Sequence, residues 1–136
     1  MPRTREKTKG RRSGAPFVML RHDLLEHPDY IALKNPAKVL LIDVLKHYNG
    51  RNNGDFVITL KVLRAQGWTS EDTMRRATKQ LIDAGLLVIT RQGGRHLPSL
   101  YGVTFYPIDE CGGKLDVSPT KVPLRKLSLH NKNGAP

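Results

Sequence analysis

The chain has 136 residues, a formal charge of +11 and a pI of about 10.2. That length supports one domain with a modest core and leaves little room for an elaborate enzyme cleft. The charge calls for a polyanionic partner without choosing among DNA, RNA and an anionic membrane. Cys111 is the only cysteine, which excludes an intramolecular disulfide and zinc-finger spacing.

Residues 1–15 are polar, basic and rich in Gly, Pro, Arg and Lys, so they cannot bury enough apolar surface to order themselves. They read as a flexible basic arm whose Arg3, Arg5, Arg11 and Arg12 are candidates to lie along phosphates or enter a minor groove. Phe17-Val18-Met19-Leu20 is a short apolar run of edge-strand or extended type. From His22 to Leu33 the pattern gives two short helical pieces split by Pro28, with Leu24, Leu25, Tyr30, Ile31 and Leu33 as core candidates. Asn35-Pro36 is a helix start, with Asn35 as cap and Pro36 in the first turn. Ala37, Leu40, Leu41, Val44, Leu45 and Tyr48 then make a wide apolar stripe that Asn49-Gly50 ends. Arg51 to Asp55 is a turn leading into a strand at Phe56-Val57-Ile58, and Asn52, Asn53 and Gly54 suit positive φ.

Next comes a helix capped by Thr59, with Leu60, Val62, Leu63 and Ala65 on its apolar side and Gly67 as its stop. After the turn Gly67-Trp68-Thr69, the run Thr69-Ser70-Glu71-Asp72 resembles a capping box with Thr69 as cap, so a helix is expected over residues 70–84. Met74, Ala77, Leu81 and Ile82 fall on one side of it, and Asp72, Arg76, Lys79 and Asp83 on the other. Gly85 stops it. Leu86 to Thr90 is a strand, residues 92–98 form a Gly-rich hairpin, and Ser99 to Tyr106 alternates as the returning strand. Residues 111–136, with Gly112-Gly113, prolines and scattered lysines, read as a second disordered tail, although Leu115, Val117, Val122, Leu124 and Leu127 could dock on the domain or on a partner.

The order helix, turn, helix, two-stranded hairpin is that of a winged helix-turn-helix. The fold class expected is therefore α+β, mainly helical, with a small antiparallel β wing in a domain over residues 16–110 between basic, disordered ends. Charge agrees with this division. Residues 1–13 hold six Lys or Arg against Glu6, residues 111–136 hold five against Asp116, and only +2 is left between them. Between residues 61 and 95 inside that middle, Lys61, Arg64, Arg75, Arg76, Lys79, Arg91 and Arg95 oppose only Glu71, Asp72 and Asp83.

The runs Tyr48-Asn49-Gly50-Arg51-Asn52-Asn53-Gly54-Asp55, Gly67 to Thr73, Thr90 to Arg95, Ser99-Leu100-Tyr101 and Pro107 to Cys111 together resemble small helix-turn-helix proteins of phages, plasmids and bacterial mobile elements. The likeness covers about residues 17–125 and extends, more loosely, to the N-terminal winged-helix domains of phage and plasmid replication proteins. It implies a DNA-binding protein of a mobile element, a transcriptional regulator or a replication-associated binder, cytoplasmic and associated with the nucleoid.

In that setting the partner is double-stranded DNA. The helix over 70–84 would enter the major groove, with Ser70, Glu71, Thr73 and Arg75 approaching base edges and Arg76 and Lys79 on phosphates. Arg91, Arg95 and His96 of the wing would meet backbone or minor groove, and Lys61 and Arg64 the flanking phosphates. A homodimer on two half-sites and a replication or regulatory protein partner are further expectations, without a heptad seam to support the first. The competing readings are a basic RNA-binding or ribosome-associated winged helix and a protein-interaction module, and neither has a module signature of its own. Each cation could also be ordinary solvated surface, with Arg75 and Arg76 paired to Asp72 and Asp83 at helical spacing. Trp68 reads as a core plug and Gly93-Gly94 as a hairpin turn.

No catalytic residue, cofactor or metal is expected. His22, His27, His47, His96 and His130 stand in no ligand spacing, and Asp109-Glu110-Cys111 has no evident base beside it. No apolar run reaches the roughly 20 residues that span a bilayer, and the basic start is not followed by a signal-peptide core. If the arm lies on phosphates, deleting residues 1–13 lowers duplex affinity and flattens its salt dependence, because fewer counterions are released. Titrations at several salt concentrations check this, and an unchanged slope would return the arm to a mere tail.

Overall fold

A computed structural model of the chain describes residues 14–127. Arg3, Arg5, Arg11 and Arg12 of the expected arm, and residues 128–136 of the expected tail, lie outside the described residues. Among the described residues, five α-helices and one three-stranded antiparallel sheet make an α+β fold. In chain order they are α1 (His22–Leu25), α2 (Pro28–Ile31), α3 (Asn35–Leu45), β1 (Phe56–Val57), α4 (Leu60–Leu63), α5 (Glu71–Asp83), β2 (Leu87–Arg91) and β3 (Leu100–Val103). A 3-10 turn over Arg64–Gln66 extends α4, and another covers Cys111–Gly113. The strand order is β1-β3-β2, so β3 is central.

The helices start and stop where local chemistry dictates. Pro28 and Pro36 each sit in a first turn, where a missing N–H breaks no helical bond. Asn35 does not act as the cap expected of it. It is already the first helical residue, and the carbonyl of Lys34 receives the Ala37 and Lys38 amides at 3.0 and 3.2 Å. At Gly67 and at Gly85 the chain turns left-handed with φ of 97° and 77°. Both ends close as Schellman motifs: Gly67 N–H meets Arg64 O and Trp68 N–H meets Leu63 O, while Gly85 N–H meets Ile82 O and Leu86 N–H meets Leu81 O.

The core lies between α3 and α5 and runs on to the sheet. Ala37, Leu40, Leu41, Val44 and Leu45 of α3 join Met74, Ala77 and Leu81 of α5 with Leu24, Leu63, Trp68, Leu86, Leu87, Val103 and Phe105 in one cluster. Complete burial of leucines such as these stabilises by about 1.5–3 kcal/mol each. The α4 stripe is narrower than expected. Leu63 is buried, but Val62 and Ala65 face solvent, because a four-residue helix followed by a 3-10 turn does not keep the 3.6-residue period. Phe17 to Leu20 is extended and pairs with no strand, with Val18 and Leu20 against the core and Phe17 and Met19 outside. Arg21 anchors its end, donating to both oxygens of Asp23 at 2.9 and 2.6 Å and to Phe105 O at 3.0 Å. That guanidinium holds the Asp23 carboxyl below the usual carboxylate range.

The stretch after Tyr106 departs most from expectation. Rather than a free tail, residues 107–127 run back across the domain. Asp116 N–H donates to Thr90 O at 2.8 Å and its carboxylate accepts from Gln92 N–H at 2.9 Å, which covers the open edge of β2. Thr120 and Ile108 bond reciprocally, each amide meeting the other residue's oxygen at 2.9 Å. Leu127 is buried in the main core, and Ile108 is buried apart from it, beside Gly54. Arg125 donates to Ala84 O at 2.7 Å, capping α5, and pairs with Asp29. Main-chain bonds, the side chains of Asp116, Thr120 and Arg125 and two buried residues, Ile108 and Leu127, hold this strap; of the apolar residues expected as able to dock, Leu127 does so, while Val117, Val122 and Leu124 stay exposed.

Asn53 joins these parts, although its expected role was only conformational. Of Asn52, Asn53 and Gly54, only Gly54 takes positive φ. The fully buried Asn53 side chain donates to the carbonyls of Val103, Tyr106 and Pro107 at 3.0, 3.1 and 2.9 Å and accepts from Val103 N–H at 2.8 Å. Its own amide donates to Asp109 Oδ2 at 2.8 Å, and its carbonyl accepts from Asp109 N–H at 2.9 Å. Asn53→Ala orphans several buried groups at once and is expected to lower stability by about 3 kcal/mol. Urea unfolding measures this, with Asn52→Ala, whose bonds are solvent-exposed, as a control expected to lose less than about 1 kcal/mol.

Candidate nucleic-acid interface

Helix α5 presents one side to the core and three cations to solvent. Its cap is Ser70, whose Oγ accepts from Thr73 N–H at 3.1 Å, not Thr69. Thr69 and Ser70 are both good caps by type, and the structure uses Ser70, one residue later than expected, which takes the Thr73 amide where a Thr69 cap would have taken that of Asp72. The helix therefore begins at Glu71. Thr78, absent from the expected apolar stripe, is buried, and its hydroxyl donates back to Met74 O at 2.8 Å.

Arg75, Arg76 and Lys79 remain 67, 73 and 75% exposed while making ion pairs along the helix. Asp72 takes both arginines, Arg76 at 2.9 Å and Arg75 at 3.5 Å, and Asp83 takes Lys79 at 2.9 Å. Exposed pairs of this spacing contribute only about 0.3–0.5 kcal/mol each. An arriving polyanion thus exchanges one weak partner for another.

The two flanks of α5 differ. Towards the sheet, a groove of about 400 Å³ is lined by Glu71, Arg75, Lys79 and Asp83 over a floor that includes Ile58, Ile82 and Tyr101. Burial pushes the Tyr101 phenol above its ordinary pKa, so it stays protonated. Towards the start of α3, a cleft of about 300 Å³ is lined by Lys34, Pro36, Ala37, Thr73, Arg76, Ala77 and Gln80. Lys34 was not among the expected site residues. Its position immediately ahead of Asn35-Pro36 is the signal that could have pointed to it.

The other expected residues are scattered over neighbouring elements. Lys61 and Arg64 are exposed on α4 and its 3-10 extension. Arg95 and His96 are exposed at the tip of the hairpin, where Gly94 and Leu97 bond reciprocally at 2.8 and 3.1 Å. Arg91 is less free than expected: it is half-buried and donates to Pro98 O at 3.0 Å across the hairpin. Gly93 permits that closure, since a Cβ there would stand 2.4 Å from Leu97 O and from Ser99 N. The expected base-reading group is divided likewise: Ser70 is exposed but engaged as the cap, Glu71 and Arg75 line the sheet-side groove, and half-buried Thr73 lines the α3-side cleft.

Trp68 plugs the turn before α5, donating from Nε1 to Asp43 Oδ2 on α3 at 2.7 Å. Among the described residues no group of His, Cys, Asp and Glu is placed to hold a metal ion, and no helix is long and apolar enough to cross a membrane. Burial and the carboxylates of Asp55 and Asp109 push the Cys111 thiol up, which favours the unreactive protonated form. Neither protein-family models, curated proteins nor solved structures gave a match to the chain.

The shared use of Asp72 yields a test. Asp72→Asn frees two arginines, so the variant should elute from a heparin column at higher salt than the parent protein. Removing an acid from the first turn should also cost about 0.5 kcal/mol of stability, read by thermal melting. Unchanged elution would mean that Arg75 and Arg76 do not meet the polyanion.

Proposed function

We propose that the chain is a winged helix-turn-helix protein that binds double-stranded DNA, of the kind found in phages, plasmids and bacterial mobile elements. It acts as a transcriptional regulator or a replication-associated binder on cytoplasmic, nucleoid-borne DNA. One observation carries the reading: α5, thirteen residues long and packed on α3, projects Arg75, Arg76 and Lys79 outward and is followed directly by a β hairpin with Arg95 at its tip. The element order α3, β1, α4, α5, β2, β3 supports it, as does the lack of any ion pair to Lys61, Arg64 or Arg95 among the described residues.

On this reading α5 lies in a major groove and the hairpin rests on adjacent backbone. Arg75, beside Glu71 in the sheet-side groove, reads a base: a guanidinium spans guanine O6 and N7, and a neighbouring carboxylate accepts from cytosine N4. Lys79 and Arg76 lie nearer the phosphates, with Lys61, Arg64 and Arg95 beyond them. Arg91 serves the hairpin, not the DNA.

Binding to duplex DNA, to a structured RNA and to heparin, each followed by fluorescence anisotropy across a salt series, tests the proposal. Duplex DNA with a sequence preference that survives competitor is the expected result. Equal or tighter binding to the RNA would overturn it. Arg75→Ala should cost about 1–3 kcal/mol on the preferred site and relax the preference, whereas Arg76→Ala should weaken all duplexes alike. Equal behaviour of the two variants would remove the division of labour between them.

A further inference from the structure

We infer that the cleft between the start of α3 and the flank of α5 is a phosphodiester site, in which Lys34 and Arg76 grip one backbone phosphate from two sides. The inference rests on the duplex-binding reading above and adds to it a contact outside the helix-turn-helix. The cleft joins two elements far apart in sequence, and a bond links them: Lys34 N–H donates to Gln80 Oε1 at 3.1 Å, tying the residue that caps α3 to the C-terminal part of α5. Lys34 and Arg76 thereby line one cleft, together with Thr73 and Gln80.

Charge decides what the cleft accepts. Its lining contains two cations and no carboxylate, whereas the groove on the opposite flank of α5 mixes Arg75 and Lys79 with Glu71 and Asp83. Lys34 makes no ion pair among the described residues, and its nearest structural bond uses its backbone, leaving the ammonium group for a ligand. Arg76 is held only by exposed Asp72. A single negative charge of phosphate size therefore meets attraction on the α3 flank, while the mixed flank is repulsive in part and better suited to the alternating donors and acceptors of base edges. The positive end of the eleven-residue α3 adds to the field at the same place.

This geometry sets the pose of the duplex. One strand's backbone runs past the start of α3, so the major groove opens towards the sheet-side flank, where Arg75 and Glu71 stand.

The test uses the full chain and two unrelated duplexes of equal length, titrated over a salt series. Lys34→Ala should weaken both duplexes by the same factor and lower the slope of log affinity against log salt by about 0.9. Lys34→Arg should restore both. Lys34 is exposed, so the variants should keep the circular dichroism and melting point of the parent. If the parent binds duplex DNA but Lys34→Ala binds with the same affinity and slope, the phosphate site is overturned and the wider reading stands. A loss confined to one of the two duplexes would also overturn it, because a phosphate contact reads no sequence. If the parent binds neither duplex at any salt, the duplex-binding reading itself falls, and this site with it.

Discussion

A single buried carboxamide ties the turn before β1 to the chain that leaves the central strand. Asn53 lies in the turn before β1; its side chain bonds to Val103 at the end of the central strand β3 and to the carbonyls of Tyr106 and Pro107 in the departing chain, while its main chain pairs with Asp109. Buried backbone groups left without partners are costly, so the path of the chain after β3 is fixed by where their hydrogen bonds are found. Once that path is set, Asp116 reaches the edge of β2 and Arg125 reaches the end of α5.

Much of this was legible in the residues, because strong local signals were involved. Pro36, Gly67 and Gly85 punctuate the chain where the structure does, and the spacing of Ala37 to Leu45 and of Met74 to Leu81 gave the two packed faces. Errors arose where two local solutions compete or where partners are distant. Thr69 and Ser70 are near-equivalent caps, and the backbone chose between them. Val62 and Ala65 were placed inside by a helical period that a one-turn helix does not sustain. The strap over residues 107–127 has no periodic pattern, since its bonds are made to Thr90, Gln92, Thr104 and Ala84, remote in sequence.

The candidate interface was harder to read than the fold for a similar reason. Charge along the sequence singled out Arg75, Arg76 and Lys79 as candidates, but could not tell that Arg91 bonds across the hairpin or that Lys34 and Arg76 line one cleft. Such placements depend on which helices pack together. Opposite charges threaded among the cations also matter: Asp72 and Asp83 pair with all three and offset part of their positive field.

The indole that plugs the turn ahead of α5 is the only tryptophan in the chain. Its ring nitrogen leans on a carboxylate of α3, so its emission is sensitive to any shift between those two helices. The molecule thus carries an intrinsic optical probe at the turn that leads into α5, and any shift of that helix against α3 can be followed without a dye.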